Sequence, residues 1–555
     1  MLFNEFCLIC ERVAGTTKKL EKARILADYL PALSDADLVI ACHFLAGNPF
    51  PLADQRVLNI GGALVRDAVR EITGVGADEW ERLLVTWGES GLAAAQVLPG
   101  HGAEEPTTTL LAMQQFYIEL HRARGPSKKR PLLVALLRRL TVLEATYAIK
   151  LMMGGDLRIG LQEGQLEDSL ARLANVPVGE VQWTNMLLGD IGETAVLLRH
   201  GEQHTVRLRM FRPLKFMLAS PIQDPQEIRQ SITGRFFVED KYDGVRVQVH
   251  KTDERVALFS RTLDEVTHRF PEVIEPLGAL PGEFILDGEI LAARGDQILS
   301  FKTLQARLGR KVVSDEVQAA APVIFVAFDM LYQNGTVLLE HPLYQRRTRL
   351  TQLVEAGGYT IEENPVYGAP VTPSLQLLVR DVSRIDALFE AARARGNEGL
   401  MVKDPDASYR PGRRGREWLK VKKAFATIDV VVVAVEVGNG NRRHLLSDYT
   451  FAVRRSVNDA ELLTIGKAYG GLTDVEIQEL TTWFSAHVIE DRGRMKIVEP
   501  HIVLEIAFDL IQPSTRHSSG YALRFPRIVA WRHDKPATEI DTLDVVRQLA
   551  GETVL

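Results

Sequence analysis

Lys241 stands between a carboxylate pair, Glu239 and Asp240, and an Asp243-Gly244 step in the stretch FVEDKYDGVRVQVHK. An amine becomes a nucleophile only when it sheds its proton, which desolvation or a cationic neighbour makes possible near neutral pH. Val245, Val247 and Val249 alternate with Arg246, Gln248 and His250, and this period of two predicts a half-buried strand directly after the glycine. Lys241 is therefore expected in the mouth of a strand-flanked turn. Arg246, Arg261, Lys403, Lys420 and Lys422 are the cations that could share such a site. K-x-D-G alone is also how many solvated hairpins end, so other stretches must carry the chemistry with it.

Two of them do. In EWLKVKK, strand alternation sends Lys420 and Lys422 to one face and Leu419 and Val421 to the other. Two cations on one face repel each other unless they meet an anion, and a polyphosphate is the natural candidate. In FILDGEIL and GNEGLMVK, Glu289 and Glu398 interrupt apolar runs, where an unpaired buried carboxylate is costly. A ribose hydroxyl, a metal ion or a lysine would relieve them.

The elements that must hold these residues change texture along the chain. A chain of 555 residues is too long for one core and should divide into roughly three or four units. From Leu2 to about residue 200 the pattern is helical: Ser34-x-x-Asp37 reads as a capping box with Gly47 as the stop, and Pro131 suits the first turn of a later helix. From Arg207 short β-rich runs alternate with helical stretches, which predicts an α+β domain with antiparallel sheets. From Ala426 several strands and one helix suggest a small barrel of the OB type. The expected fold is thus multidomain: an all-α domain over 1–205, an α+β domain over 206–425 and a β-barrel over 426–555.

Composition excludes several classes. No apolar run reaches the roughly 20 residues that span a bilayer, and Glu5 and Glu11 break the N-terminus as a signal peptide, so a cytoplasmic address is expected. The 3 cysteines cannot build a disulfide framework. Cys7-x-x-Cys10 lacks a second pair, and the adjacent Cys42 and His43 would rarely face one ion, so buried helix positions are expected and no zinc site. The net charge of −6 argues weakly against a nucleic-acid partner, because only charge facing the ligand counts. Residues 128–158 and 403–423 are locally basic.

Taken in order, EDKYDGVR, SRTLDE, FILDGEIL, VIFVAFDMLY, EGLMVK, WLKVKK and RFPRIVAWRHDK resemble the motif series of the ATP-dependent DNA ligases. The upstream MMGGDLRIGL is similar to the end of those enzymes' helical DNA-binding domain, so the resemblance covers essentially the whole chain. It implies an OB-fold for the barrel and a nucleotidyltransferase function for the middle domain. It also implies that Lys241 attacks the α-phosphorus of ATP and carries AMP as a phosphoramidate. Glu239 and its backbone would frame the adenine, Phe328 would stack on it, and Glu289 would bind the ribose. Arg246 and Arg261 would lie near the sugar and phosphate or the nick terminus. Lys420 and Lys422 would neutralise the α-phosphate, with Arg414 nearby. Magnesium or manganese would be held by Glu289 and Glu398. Arg532, Asp534 and Lys535 would orient the departing pyrophosphate. Nicked duplex DNA is the implied substrate, with a sliding clamp or repair proteins as partners and a monomer as the working form. RNA ligases and capping guanylyltransferases share the lysine chemistry, but the helical region favours DNA. NAD-dependent ligases carry a four-cysteine zinc module that 3 cysteines cannot supply. A catalytically silent DNA clamp would have lost Lys241 or its paired lysines. The loop at 438–449 departs from the family's Gly- and Lys-rich pattern.

Overall fold

The computed structural model describes every residue except 52, 53, 55, 155, 223, 296, 309, 311, 312, 360–368, 422–425, 439–441, 443 and 551–555. The chain forms two compact units. One comprises Met1–Asn59, Thr107–Arg124 and Leu151–Lys422, and the other Ile60–Pro106, Gly125–Lys150 and Lys423–Leu555. Among the described residues no strand precedes Leu218, so the N-terminal region is helical as expected, and its helices are divided between the two units.

In the first unit the helix Asp35–Leu45 begins at Ser34, whose side chain accepts a hydrogen bond from Asp37 N, and Gly47 follows its end at φ 80°. Cys7, Cys10 and Cys42 are buried, as are the rings of Phe3, Phe6, Phe44 and Tyr117, which pack against one another. In the second unit the helix Pro126–Arg139 starts five residues before the expected position. Pro126 takes the first turn and Pro131 lies inside the helix, so the reading of Pro131 as the start is corrected. Lys129 on that helix is buried, while Lys128, Arg130, Arg138 and Arg139 are exposed.

Two sheets build the rest of the first unit. Leu218–Ile222, Arg414–Val421, Gly399–Lys403, Phe236–Lys241 and Gln376–Val379 form a five-stranded sheet in that order. Val256–Ser260, Val245–Lys251, Phe284–Arg294 and Val323–Gln333 run side by side in the second. The expectation of antiparallel sheets holds for most pairs, but Leu218–Ile222 runs parallel to Arg414–Val421, and Val323–Gln333 to Val371–Pro373. Strand alternation gives each sheet two chemically different faces. Phe236, Val238, Leu400, Val402, Leu419 and Val421 pack outward against Ile385 and Phe389 of the helix Ile385–Ala394. Val247, Val249, Leu286 and Phe325 pack outward against the helix Leu343–Ala356. The inner faces meet through Ile285, Phe328, Leu331, Tyr409 and Trp418.

A fully buried ion pair ties this sandwich to its helix. Arg346 Nε and Nη2 each donate to Asp329 at 2.8 Å, and Nη1 donates to the carbonyls of His341 and Ala407. Asp329 directly follows Phe328, so the pair also sets the register of that inner-face ring.

In the second unit Ala426–Val437 is the spine. Leu446–Ser456 pairs with one edge, while Met495–Val498 and Val503–Phe508 share the other. The sheet continues to Asp459–Ala468 on one side and Arg527–Trp531 on the other. Ile528 N donates to Gly470 O at 2.9 Å, so the sheet's two ends curl toward each other. A Cβ at Gly471 would run into Ile528 O, and its φ is 119°. The helix Asp474–Ala486, opened by a Thr473/Glu476 capping box, plugs the curl with Leu480 and Phe484.

Replacing Arg346 by methionine should lower the stability of the first unit by about 3–5 kcal/mol, since it strands the Asp329 charge in a dry core. Urea denaturation followed by intrinsic fluorescence would measure this; a loss below about 1 kcal/mol would refute the assignment.

Candidate active site

Lys241 is the last residue of the strand Phe236–Lys241, and Val245 is the first of Val245–Lys251. These strands belong to different sheets. The K-x-D-G stretch is therefore a crossover between sheets and not the hairpin turn that the spacing suggested. Its glycine is required by proximity: a Cβ at Gly244 would run into Ile290 O and Glu289 Cγ on the neighbouring strand. Any side chain there would push Glu289 away from the end of the lysine's strand.

Because Phe236 and Val238 point outward, Glu239 and Lys241 point inward. The same count places Met401, Lys403, Trp418 and Lys420 on this inner face, with Met401 opposite both Glu239 and Lys420. Lys241 Nζ contacts Glu398 Oε2, and both side chains are 20% exposed. Glu398 N also donates to Lys241 O at 2.8 Å, so backbone and side chain couple the two residues.

Glu239 is buried and accepts from Lys403 Nζ at 2.8 Å and Gln376 Nε2 at 2.7 Å. Lys403 Nζ lies 4.5 Å from the centroid of Phe328 and 4.4 Å from that of Trp418. Its charge is thus matched inside the fold, by a carboxylate and two ring faces. Phe328 meets Trp418 edge to face at 6.2 Å.

From the opposite sheet come Arg246, Asp287 and Glu289. Arg246 donates two bonds to Asp287, at 3.0 and 2.7 Å, and one to Met217 O at 2.8 Å. Tyr409 Oη donates to the same Asp287 at 2.7 Å. Burial by itself would lower the Arg246 pKa, but Asp287 and Tyr409 overcome it and hold the guanidinium charged. Glu289 pairs in register with Arg246. Burial pushes its carboxyl up to about 8; Lys241 and Arg246 pull the other way, while Asp287 and Glu398 add like charge. Two carboxylates near one ammonium make a donor set that a divalent cation would satisfy. Among the described residues no group of three or more His, Cys, Asp or Glu is placed to hold a metal.

The remaining expected residues are more scattered. Arg261 is exposed in the turn after Val256–Ser260, and Arg414 is exposed at the start of Arg414–Val421. Lys422 lies outside the described residues, as does part of the 438–449 loop. Arg532, Asp534 and Lys535 form a separate cluster in the second unit. Arg532 donates to Asp534 at 2.9 and 2.8 Å and to Asp429 at 3.1 and 3.0 Å, and Lys535 donates to Asp429 at 2.6 Å. Hydrogen bonds from Arg532 hold the Asp534 carboxyl down at about 2. Reading the sequence missed Asp429, Asp287 and Tyr409. For Asp287 and Asp429 an acid within an apolar strand was the one signal, and only Asp287, in the L-D-G-E step, lay near a residue already singled out; Tyr409, outside any strand, carried none.

Comparison with known proteins follows the same outline. The profile described as ATP dependent DNA ligase domain matches residues 216–422, DNA ligase N terminus matches 2–171, and ATP dependent DNA ligase C terminal region matches 442–535. A probable DNA ligase of Koribacter versatilis is 44% identical over 552 residues, covering 97% of this chain and 95% of its own. A DNA ligase of Methanococcoides burtonii is 32% identical over 573 residues, covering 99% and 98%. The solved structure Pmar-Lig_Pre shares the fold at a TM-score of 0.63 and 18% identity, covering 96% of this chain and 99% of that one.

The raised Glu289 carboxyl has a signed consequence. The folded protein binds this proton more tightly than the unfolded chain, so stability falls as pH rises from the ordinary value of 4.5 toward 8. Glu289→Gln cannot titrate. Its melting temperature relative to the native protein should therefore climb across that window, and a difference that stays constant with pH would contradict the burial argument.

Proposed function

The chain belongs to the ATP-dependent DNA ligases, and from that premise we propose how its residues divide the sealing of a nick. The family's activity proceeds by way of a lysine adenylate. Lys241 Nζ attacks the α-phosphorus of ATP; a nitrogen–phosphorus bond forms, the α–β phosphate bond breaks, and pyrophosphate leaves. AMP then passes to the 5′-phosphate of a nick, and the adjacent 3′-hydroxyl displaces it.

The observation that carries the assignment is the contact of Lys241 with Glu398 at the sheet end, with Glu289 opposite. Glu398 is the acceptor placed to take the proton that the amine sheds. Lys420 shares the inner face and meets negative charge on the α-phosphate, with Lys422 and Arg414 in support, a preorganised electrostatic role. Phe328 offers its ring, and Glu239 with its backbone a polar edge, to the adenine. Glu289 takes the ribose. Arg246, locked against Asp287, and the exposed Arg261 serve the sugar, the phosphate or the nick terminus. Glu289 and Glu398 would hold magnesium or manganese, which when bound supplies positive charge to the phosphates.

The helical residues 1–205 serve as the DNA-binding domain, 206–425 as the nucleotidyltransferase domain, and 426–555 as an OB-fold. Exposed Lys128, Arg138 and Arg139 suit phosphate contact. Arg532, Asp534 and Lys535 orient pyrophosphate when the OB-fold closes over ATP, and this grip completes the site only in the closed state. A monomer working in the cytoplasm on nicked duplex DNA, guided by a clamp or repair proteins, completes the reading. No helix among the described residues is long and apolar enough to cross a membrane.

Incubation with α-labelled ATP should yield protein-bound AMP that survives denaturation and is released by acid, as a phosphoramidate is. Lys241→Ala should abolish this label and all sealing from ATP while remaining folded; a labelled mutant would move the nucleophile elsewhere.

Arg532→Ala with Lys535→Ala should block lysine adenylation by about 10²-fold or more, the scale of a lost charge partner at a transition state. Sealing of a nick supplied already adenylated should fall much less, because that step releases no pyrophosphate. Equal loss in both assays would defeat the lid role.

A further inference from the structure

Asp240 precedes Lys241 on the same strand, and alternation turns its side chain to the opposite side of the sheet. It is only 5% exposed, and a carboxylate buried this deeply must be matched by donors. It accepts from Arg395 Nε at 2.8 Å, from Arg395 Nη2 at 2.7 Å and from Asn397 Nδ2 at 2.8 Å. Both donors lie in the turn after the helix Ile385–Ala394, and the next residue is Glu398. Gly396, at φ 86°, turns the chain between them.

The rest of the turn is equally constrained. Asn397 N donates to Ala392 O at 3.0 Å and Glu398 N to Lys241 O at 2.8 Å. Gly399 pairs with Lys241, and a Cβ there would lie 2.6 Å from Val421 O and 2.7 Å from the Phe389 ring. The backbone hydrogen bonds set where the turn sits. The bidentate guanidinium pair and the amide set its orientation, because two parallel charged bonds resist rotation as one cannot.

We propose that Asp240 is a positioning residue for adenylation: through Arg395 and Asn397 it fixes the turn that aims Glu398 at Lys241. This rests on the reading of Lys241 as nucleophile with Glu398 at its side. The competing possibility is a carboxylate that only stabilises the sheet.

The test uses the full chain and a double-mutant cycle of Asp240→Asn with Glu398→Ala, read as the single-turnover rate of protein-AMP formation. Asp240→Asn should slow that rate by about tenfold or more, the usual cost of losing an outer-shell partner, with the ATP concentration for half-saturation unchanged. In the Glu398→Ala background the same change should cost under about twofold. Arg395→Gln, at a partly exposed side chain, should reproduce the pattern without endangering the fold. Amide hydrogen exchange supplies a second reading that needs no residual activity: Asp240→Asn should speed exchange at residues 395–399 and leave Val402 and Leu419 unchanged. The same slowing in both backgrounds, exchange raised across the whole sheet, or a native rate in Asp240→Asn would each overturn the proposal. Native-rate Glu398→Ala would remove the premise about Glu398 instead, and a labelled Lys241→Ala the premise about the nucleophile.

Discussion

An ammonium and a carboxylate face each other where two neighbouring strands meet, and much of the first unit exists to keep them there. Lys241 and Glu398 are 157 positions apart in the chain, so only strand pairing can bring them together. That pairing is Gly399 opposite Lys241. Three glycines make the approach possible by having no side chain: Gly244 against Ile290, Gly399 against Val421 and Gly288 against the Phe325 ring. A methyl group at any of these would part backbones that now touch. The cost would fall on the geometry of one charged pair, where a displacement of about 1 Å can change a rate by about 10²-fold.

Much of this was legible in the sequence, and what escaped has a common cause. The strands Phe236–Lys241, Val245–Lys251, Phe284–Arg294 and Val323–Gln333 fall where β-rich runs placed them, but Val245–Lys251 is buried on both faces, Gln248 and His250 included, and not half-buried as its alternation suggested. Alternation within EWLKVKK likewise set Lys420 on the face opposite Leu419 and Val421, as found. The crossover escaped because K-x-D-G has the local chemistry of a turn, whatever sheet each flanking strand joins. Lys403 read as a cation available to Lys241, since nothing local marks Glu239 as its partner across the sheet. Asp429 was invisible for the same reason, lying 103 positions from Arg532. Periodicity reports which way a side chain points. It does not report what the side chain meets.

The partners met in the fold sort the charged residues by what they can be asked to do. Arg246 with Asp287, Arg346 with Asp329 and Lys403 with Glu239 have at least one member wholly or almost wholly buried, and each carries additional hydrogen bonds or ring contacts. Separating such a pair strands a charge away from water at about 3–5 kcal/mol. These residues hold fixed positions in the fold, because exchanging partners would strand a charge. Lys241 with Glu398 and Arg532 with Asp429 are different, for every member retains some access to solvent. Water reaches part of each of these pairs, so separating them costs less than separating the fully buried ones. A group-transfer enzyme needs both kinds. In the cycle proposed above, Lys241 would leave Glu398 to attack phosphorus, and Arg532 would release pyrophosphate as the product departs. Exposure, more than residue type, therefore separates the charges this proposal asks to move from those the fold holds fixed.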